Sequence, residues 1–151
     1  MKETKKLAVA ALENGTVIDH LPCGTVYKAV RILGLENTRN SVTIGDNLAS
    51  NRLGLKGIIK VADIELDQDA LDRIAVIAPN AVVNTIRNFE VASKRAVKLP
   101  DVLVGVVRCS NPKCITNNEP MRTRFNVDAD SGMLRCHYCN KTVKPENADI
   151  L

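Results

Sequence analysis

The chain has no tryptophan, and only Tyr27, Phe89, Phe125 and Tyr138 carry aromatic rings among its 151 residues. That scarcity argues against a surface that grips single-stranded nucleic acid by stacking bases on rings. Only two histidines occur, His20 and His137. No apolar run approaches the roughly 20 residues that span a bilayer, so no membrane partner is expected. The run Leu7 to Leu12 follows Lys5 and Lys6 but ends at Glu13, too short for a secretory signal; the expected location is cytoplasmic. The sequence also lacks the phosphate-cradling G-x-x-x-x-G-K-[ST] loop, G-x-G-x-x-G, G-x-S-x-G and H-E-x-x-H. No nucleophile–base set replaces them, which counts against an enzyme in its own right.

What is present is ordinary for a soluble globular protein: 45% apolar and 25% charged residues, enough for one domain or two small ones. Net charge is +4, with 14 Lys/Arg against 11 Asp/Glu in the first hundred residues and 7 against 6 in the remainder. Four thiolates and one divalent metal would turn that remainder to about −1, so it is not the basic arm of a DNA-binding finger. The mild excess of positive charge in the N-terminal part suits a small anion or plain solvated surface.

Four of the five cysteines form two tight pairs, Cys109 with Cys114 and Cys136 with Cys139, separated by 21 residues. Two short turns that each present two thiolates suit a tetrahedral structural zinc. A segment this small buries too little apolar surface to fold well alone, and a metal would make up the deficit. Two disulfides, a redox-active C-x-x-C and a rubredoxin-like iron site are the alternatives. A closed four-thiolate site has no open position for water, so its reading is architectural. Cys23 stands apart and is expected to be a small, partly buried residue.

Residue patterning indicates an α+β protein. Leu7, Val9 and Ala11 alternate as in a strand, Asn14-Gly15 marks a turn, and Thr16 to Leu21 is extended up to Pro22. Val26, Ala29, Val30 and Leu33 follow helical spacing, and Gly34 would cap that helix. Val42 and Ile44 begin another strand, residues 57–66 a further one. Ala70, Leu71, Ile74, Ala75 and Ala78 share a second helix face, with Asp67 and Asp69 at its positive end and Pro79 beyond it. Ala81 to Arg87 is strand-like. After the initial hairpin the order is β-α-β-β-α-β, a ferredoxin-like antiparallel sheet covered by two helices. Polar residues 92–100, ending in Leu99-Pro100, read as a hinge between domains at 1–98 and 99–151. Beyond it, Val102 to Val107 and a hairpin of 122–127 with 133–135 feed the cysteine knuckles of a small antiparallel-β zinc-binding domain. Asp19 and His20, adjacent in a strand, should point to opposite faces and so could not act as an acid–base couple.

Several separated motifs carry a resemblance. They are Thr16-Val17-Ile18-Asp19-His20-Leu21-Pro22 after Asn14-Gly15, Lys60, APNAVVNTIRNFEV at 78–91, Lys94, Leu99-Pro100, Glu119-Pro120 after the first cysteine pair, and Cys136-His137-Tyr138-Cys139. Along essentially its whole length the chain resembles the regulatory chain of aspartate carbamoyltransferase. The resemblance implies a non-catalytic subunit of pyrimidine biosynthesis that binds CTP as inhibitor and ATP as activator, with or without Mg2+. It implies one structural zinc per chain, a regulatory-chain homodimer through the N-terminal domains, and docking of the zinc domain onto a separate catalytic chain. By the same resemblance the nucleotide site comprises Ala11, Leu12, Asp19, His20, Lys60, Asn84, Ile86, Val91 and Lys94. Lys94 and His20 face the triphosphate, and Lys60 and Asp19 hold ribose or base. Asn111 and Lys141 belong to the surface that meets the catalytic chain. Phe89, Ala10 and Asn140 depart from the family's Tyr and acidic residues. A zinc-ribbon nucleic-acid binder, an enzyme and a ferredoxin-like sensor of another partner are the rival classes.

Overall fold

Residues Gly15–Pro22 (β1) bury both faces over most of their length, as the central strand of a sheet must. The computed structural model describes residues 12–51 and 54–151; Leu7, Val9 and Ala11, expected as a strand, lie outside them. After β1 come helix α1 (Val26–Ile32), strands β2 (Val42–Ser50) and β3 (Gly54–Ala62), helix α2 (Gln68–Ile77), and strands β4 (Val82–Arg87) and β5 (Glu90–Ala96). The sheet order is β2-β3-β1-β4-β5, with every neighbouring pair antiparallel. β1 to β4 and the two helices form the expected ferredoxin-like arrangement, and β5 extends it at one edge.

Local chemistry sets the helix ends. Gly34 takes the left-handed conformation after α1, at φ 67°. The Asp67 carboxylate accepts the Ala70 N–H at 2.8 Å and caps α2. One sheet face presents Ile18, Ile59, Val61 and Val83 to Val26 and Ala29 of α1 and to Leu71, Ile74 and Ala75 of α2. Burial of each large aliphatic side chain there contributes roughly 1.5–3 kcal/mol. The opposite face carries a smaller apolar cluster, Val17, Ile58 and Ile86, with Leu12 and Leu48 packed against it.

Three expectations need correction. Residues 90–96 form strand β5 and not part of a hinge. Every residue of that edge strand is exposed, so it has no apolar alternation to read. Asn88 and Phe89, at φ 53° and 65°, make the tight turn that returns the chain. β3 ends at Ala62, before the extended stretch expected to reach residue 66. The strand expected over 102–107 is broken at Gly105, at φ 69°, into β6 (Val102–Val104) and β7 (Val107–Arg108).

The C-terminal part adds β8 (Arg124–Val127), β9 (Leu134–Cys136), β10 (Thr142–Val143) and β11 (Asp149–Ile150). They form an antiparallel sheet β10-β9-β8-β6 and a pair β11-β7. Leu103, Val107, Phe125 and Leu134 pack there with three of the paired cysteines. Val76 of α2 belongs to this second cluster, and Leu99 and Ile150 touch both clusters. The Arg73 Nε–H of α2 also donates to the Leu151 oxygen at 3.1 Å. The connection at Leu99-Pro100 is therefore packed, with an apolar contact running across it. Among the described residues, no helix is long and apolar enough to cross a membrane.

Candidate functional site

The sulfur atoms of Cys109, Cys114, Cys136 and Cys139 all lie within 4.8 Å of one another. Cys109 and Cys139 approach to 3.6 Å, Cys114 and Cys136 to 3.7 Å, so the close pairs cross between the two sequence pairs. A tetrahedron of thiolates with bonds of about 2.3 Å, the zinc–sulfur length, has edges of about 3.8 Å. The donor set therefore fits a single tetrahedral ion, and the crossing contacts fit it better than a disulfide within each pair. Burial pushes the Cys109 thiol up to about 12, and burial likewise raises Cys136. The Lys141 N–H, with the Asn111 side chain, brings Cys139 down to about 7. Buried sulfurs of this kind become thiolates when a cation sits among them.

The knuckles are shaped by their own amides. Asn117 Nδ2 donates to the carbonyls of Cys109 and Asn111, both at 2.8 Å, and Asn118 Nδ2 to that of Cys114 at 2.8 Å. Asn140, at φ 64°, takes the left-handed position after the second pair, its N–H on the Cys136 carbonyl at 2.9 Å. Asn111 and Lys141, expected at a partner surface, both sit at the Cys139 sulfur, one through its side chain and the other through its N–H. The Asn111 side-chain Oδ1 also accepts the Lys113 N–H at 3.0 Å. His137 is exposed, and its ring stands edge-on to Tyr138 with centroids 5.1 Å apart. Cys23 is exposed rather than partly buried, because it falls in the turn after β1, where its thiol donates to Asn47.

A second constellation lies on the helix-free face of the large sheet. Lys60 of β3 pairs with Val17 of β1, Val17 with Asn84 of β4, and Asn84 with Lys94 of β5. Directly paired residues share a face, so these four form one row about 14 Å long across the strands. Ile86 and Val91, themselves a register pair, lie one step along on the same face. Leu12 packs beside them against the Val17–Ile58–Ile86 cluster. Ala11 falls outside the described residues.

Bulges shape one end of this face. β1 carries an extra residue between Ile18 and Leu21, and β2 carries one between Gly45 and Leu48, both opposite β3. His20 adopts φ 58° in the first bulge. The regular alternation expected for Asp19 and His20 is thereby lost: His20 Nε2 lies 4.0 Å from Asp19 Oδ2. Asp19 Oδ1 accepts the His20 backbone N–H at 2.6 Å and stands 2.8 Å from Lys56 Nζ. Burial by itself would raise the Asp19 carboxyl. The Lys56 hydrogen bond, the His20 N–H and the neighbouring positive charges outweigh it and hold the group below the usual carboxylate range. Burial lowers the Lys60 ammonium, and the Asp19 charge opposes that effect. Among the described residues, His20 Nδ1 and Asn84 Oδ1 are buried atoms that meet no hydrogen-bond partner.

Lys56 is a member of this cluster that sequence reasoning missed. Its signal was available, since Lys56, Ile58 and Lys60 alternate along β3 and so share a face. A separate open cavity of about 780 Å³, lined by Lys28, Arg31, Ile32 and residues 147–151, lies on the helix side and holds none of these groups.

The fold and sites thus define a ferredoxin-like α+β protein with a four-cysteine cluster that fits a metal ion. Comparison with known proteins narrows the class. Residues 7–98 match the aspartate carbamoyltransferase regulatory chain allosteric domain, and residues 101–149 match the metal binding domain of the same chain. The chain of that name from Parabacteroides distasonis is 52% identical over 150 residues, covering 99% of this chain and 97% of its own length. That of Bacteroides fragilis is 50% identical over 153 residues, covering all of both. That of Neisseria gonorrhoeae is 49% identical over 142 residues, 93% of each chain. The chain belongs to the aspartate carbamoyltransferase regulatory chain family, and is a regulatory subunit rather than the catalytic one.

Proposed function

We propose that the helix-free sheet face binds CTP and ATP, with or without Mg2+, and that the metal-binding part passes their effect to a catalytic chain of aspartate carbamoyltransferase. The observation that carries this reading is the row Lys60–Val17–Asn84–Lys94, flanked by Lys56 and His20 and floored by Val17, Ile58 and Ile86. Cations match a triphosphate, the apolar floor matches a base, and the Asn84 amide oxygen offers an acceptor for an exocyclic amino group. Leu12, Val91 and Asp19 complete the proposed site, and Ala11 belongs to it by resemblance alone.

The allosteric part spans 1–98 and the metal-binding part 99–151 in this reading. The packed boundary at Val76, Leu99 and Ile150 supports transmission, since a shift of α2 must be felt on the cysteine side. The metal is one structural zinc per chain, supported by the sulfur separations. Asn111 and Lys141 meet the catalytic chain, and two regulatory chains pair through their first hundred residues. Among the described residues β2 is an edge strand, and its exposed Ile44 together with the exposed α1 residue Tyr27 supports that pairing. The subunit acts in the cytoplasm and binds no nucleic acid.

Reconstitution with the catalytic chain, assayed with and without CTP and ATP, tests the regulatory reading. Calorimetric titration of the isolated chain tests the site. Titrations showing neither nucleotide bound, with and without Mg2+, would remove the nucleotide role and leave a structural one.

A further inference from the structure

The resemblance gives Asp19 a ribose or base to hold, but in this structure its carboxylate is bound to Lys56. Ionised Asp19 only accepts hydrogen bonds, so it cannot donate to a phosphate, and its charge opposes one. Yet it sits among the cations of the face, its side chain 21% exposed and that of Lys56 19% exposed. One oxygen is engaged twice, by Lys56 Nζ at 2.8 Å and by the His20 N–H at 2.6 Å. The bulge that turns His20 to φ 58° also presents this oxygen to β3. Lysine is among the side chains that lose most rotamer freedom when ordered, and here the carboxylate fixes its ammonium before any ligand arrives.

We propose that Asp19 is a resident counter-ion: it holds Lys56 in place while no ligand is bound, and a ligand phosphate takes over the Lys56 ammonium on binding. This rests on the reading that the sheet face binds nucleoside triphosphates. Beside its ribose or base contact, Asp19 then positions Lys56 and sets how much ligand charge the face tolerates. It holds down affinity for the triphosphate and keeps the cations from trapping any small anion. Electrostatics makes the consequence opposite in sign to that of a structural role. Neutralising Asp19 removes a negative charge from beside a highly negative ligand and frees Lys56 for it, so binding tightens. Loss of a merely structural carboxylate would loosen it.

The experiment titrates the full-length chain with CTP and with inorganic tripolyphosphate, at two salt concentrations, for wild type, Asp19→Asn, Lys56→Gln and the double variant. Asp19→Asn is expected to bind tripolyphosphate about three- to tenfold more tightly than wild type, with a smaller gain at high salt. Lys56→Gln binds more weakly, and in its background the gain from Asp19→Asn shrinks, because the two residues share one interaction. Asp19→Glu returns affinity toward wild type. Asp19→Ser, which removes the charge with a smaller side chain, serves if the asparagine variant does not fold. A folded neutral variant that binds tripolyphosphate as wild type does, or more weakly, overturns the counter-ion role alone, provided wild type binds it. Wild type that binds neither CTP nor tripolyphosphate overturns the nucleotide reading and this role with it.

Discussion

Val26 of α1 fills the space that a side chain on Gly57 of β3 would need. A Cβ built on Gly57 would lie 1.9 Å from Val26 Cγ2. The start of α1 therefore rests directly on the β3 backbone, one residue from Lys56, where the bulges of β1 and β2 flank the strand. Gly57→Ala must push α1 off the sheet. Overpacking of this kind costs about 1–3 kcal/mol. A lower urea midpoint for Gly57→Ala, partly restored by combining it with Val26→Ala, which removes the clashing Cγ2 and keeps the helix Cβ, is the expected result. An unchanged midpoint in the single variant would sink the close-packing argument.

Asp19 makes stability depend on pH. Its folded carboxyl titrates below the ordinary range because Lys56, the His20 N–H and nearby positive charge outweigh its burial. A depressed carboxyl binds fewer protons folded than unfolded. Its contribution is therefore fully present above the unfolded value near pH 4 and fades as pH falls through the folded one. Wild type should exceed Asp19→Asn in stability at pH 6, and the gap should narrow at pH 3. Urea midpoints at the two pH values check this; a gap that widens on acidification contradicts the sign.

Metal removal should act on one part of the chain. Freshly purified protein is expected to contain one zinc per chain, by elemental analysis. Cys114→Ala breaks the four-thiolate set and should unfold the C-terminal part while the large sheet stays folded, since its core is built from Ile18, Ile59, Val61, Val83 and the helices. Binding to the catalytic chain should be lost as well. Less than half an equivalent of zinc in a fully folded chain would be the contrary outcome.

Lys94 sits at the β5 end of the cationic row and is exposed. A charge-assisted contact with a ligand phosphate is worth roughly 1.5–3 kcal/mol, so Lys94→Ala should weaken CTP and ATP binding about tenfold or more. The same substitution should leave the urea midpoint near wild type, because Lys94 lies on an exposed edge strand. Calorimetry that finds unchanged affinities would take Lys94 out of the site.

Sequence by itself singled out the four clustered cysteines and most of the framework. Two closely spaced cysteine pairs are legible without any tertiary information, and the fold brings all four sulfurs together. Helices α1 and α2 were legible because each buries one face at regular intervals and ends at a residue suited to that end: Gly34 in left-handed conformation after one, Asp67 capping the other. Tertiary structure decided what regular periodicity cannot carry. Strand β5 buries nothing and so left no apolar pattern; only pairing with β4 makes it a strand and brings Lys94 beside Asn84. The bulge in β1 breaks the alternation that would part Asp19 from His20, and it is the approach of β3 that supplies Lys56 to Asp19. A single extra residue in a strand changes which side chains meet, and that depends on what the neighbouring strand offers rather than on local sequence.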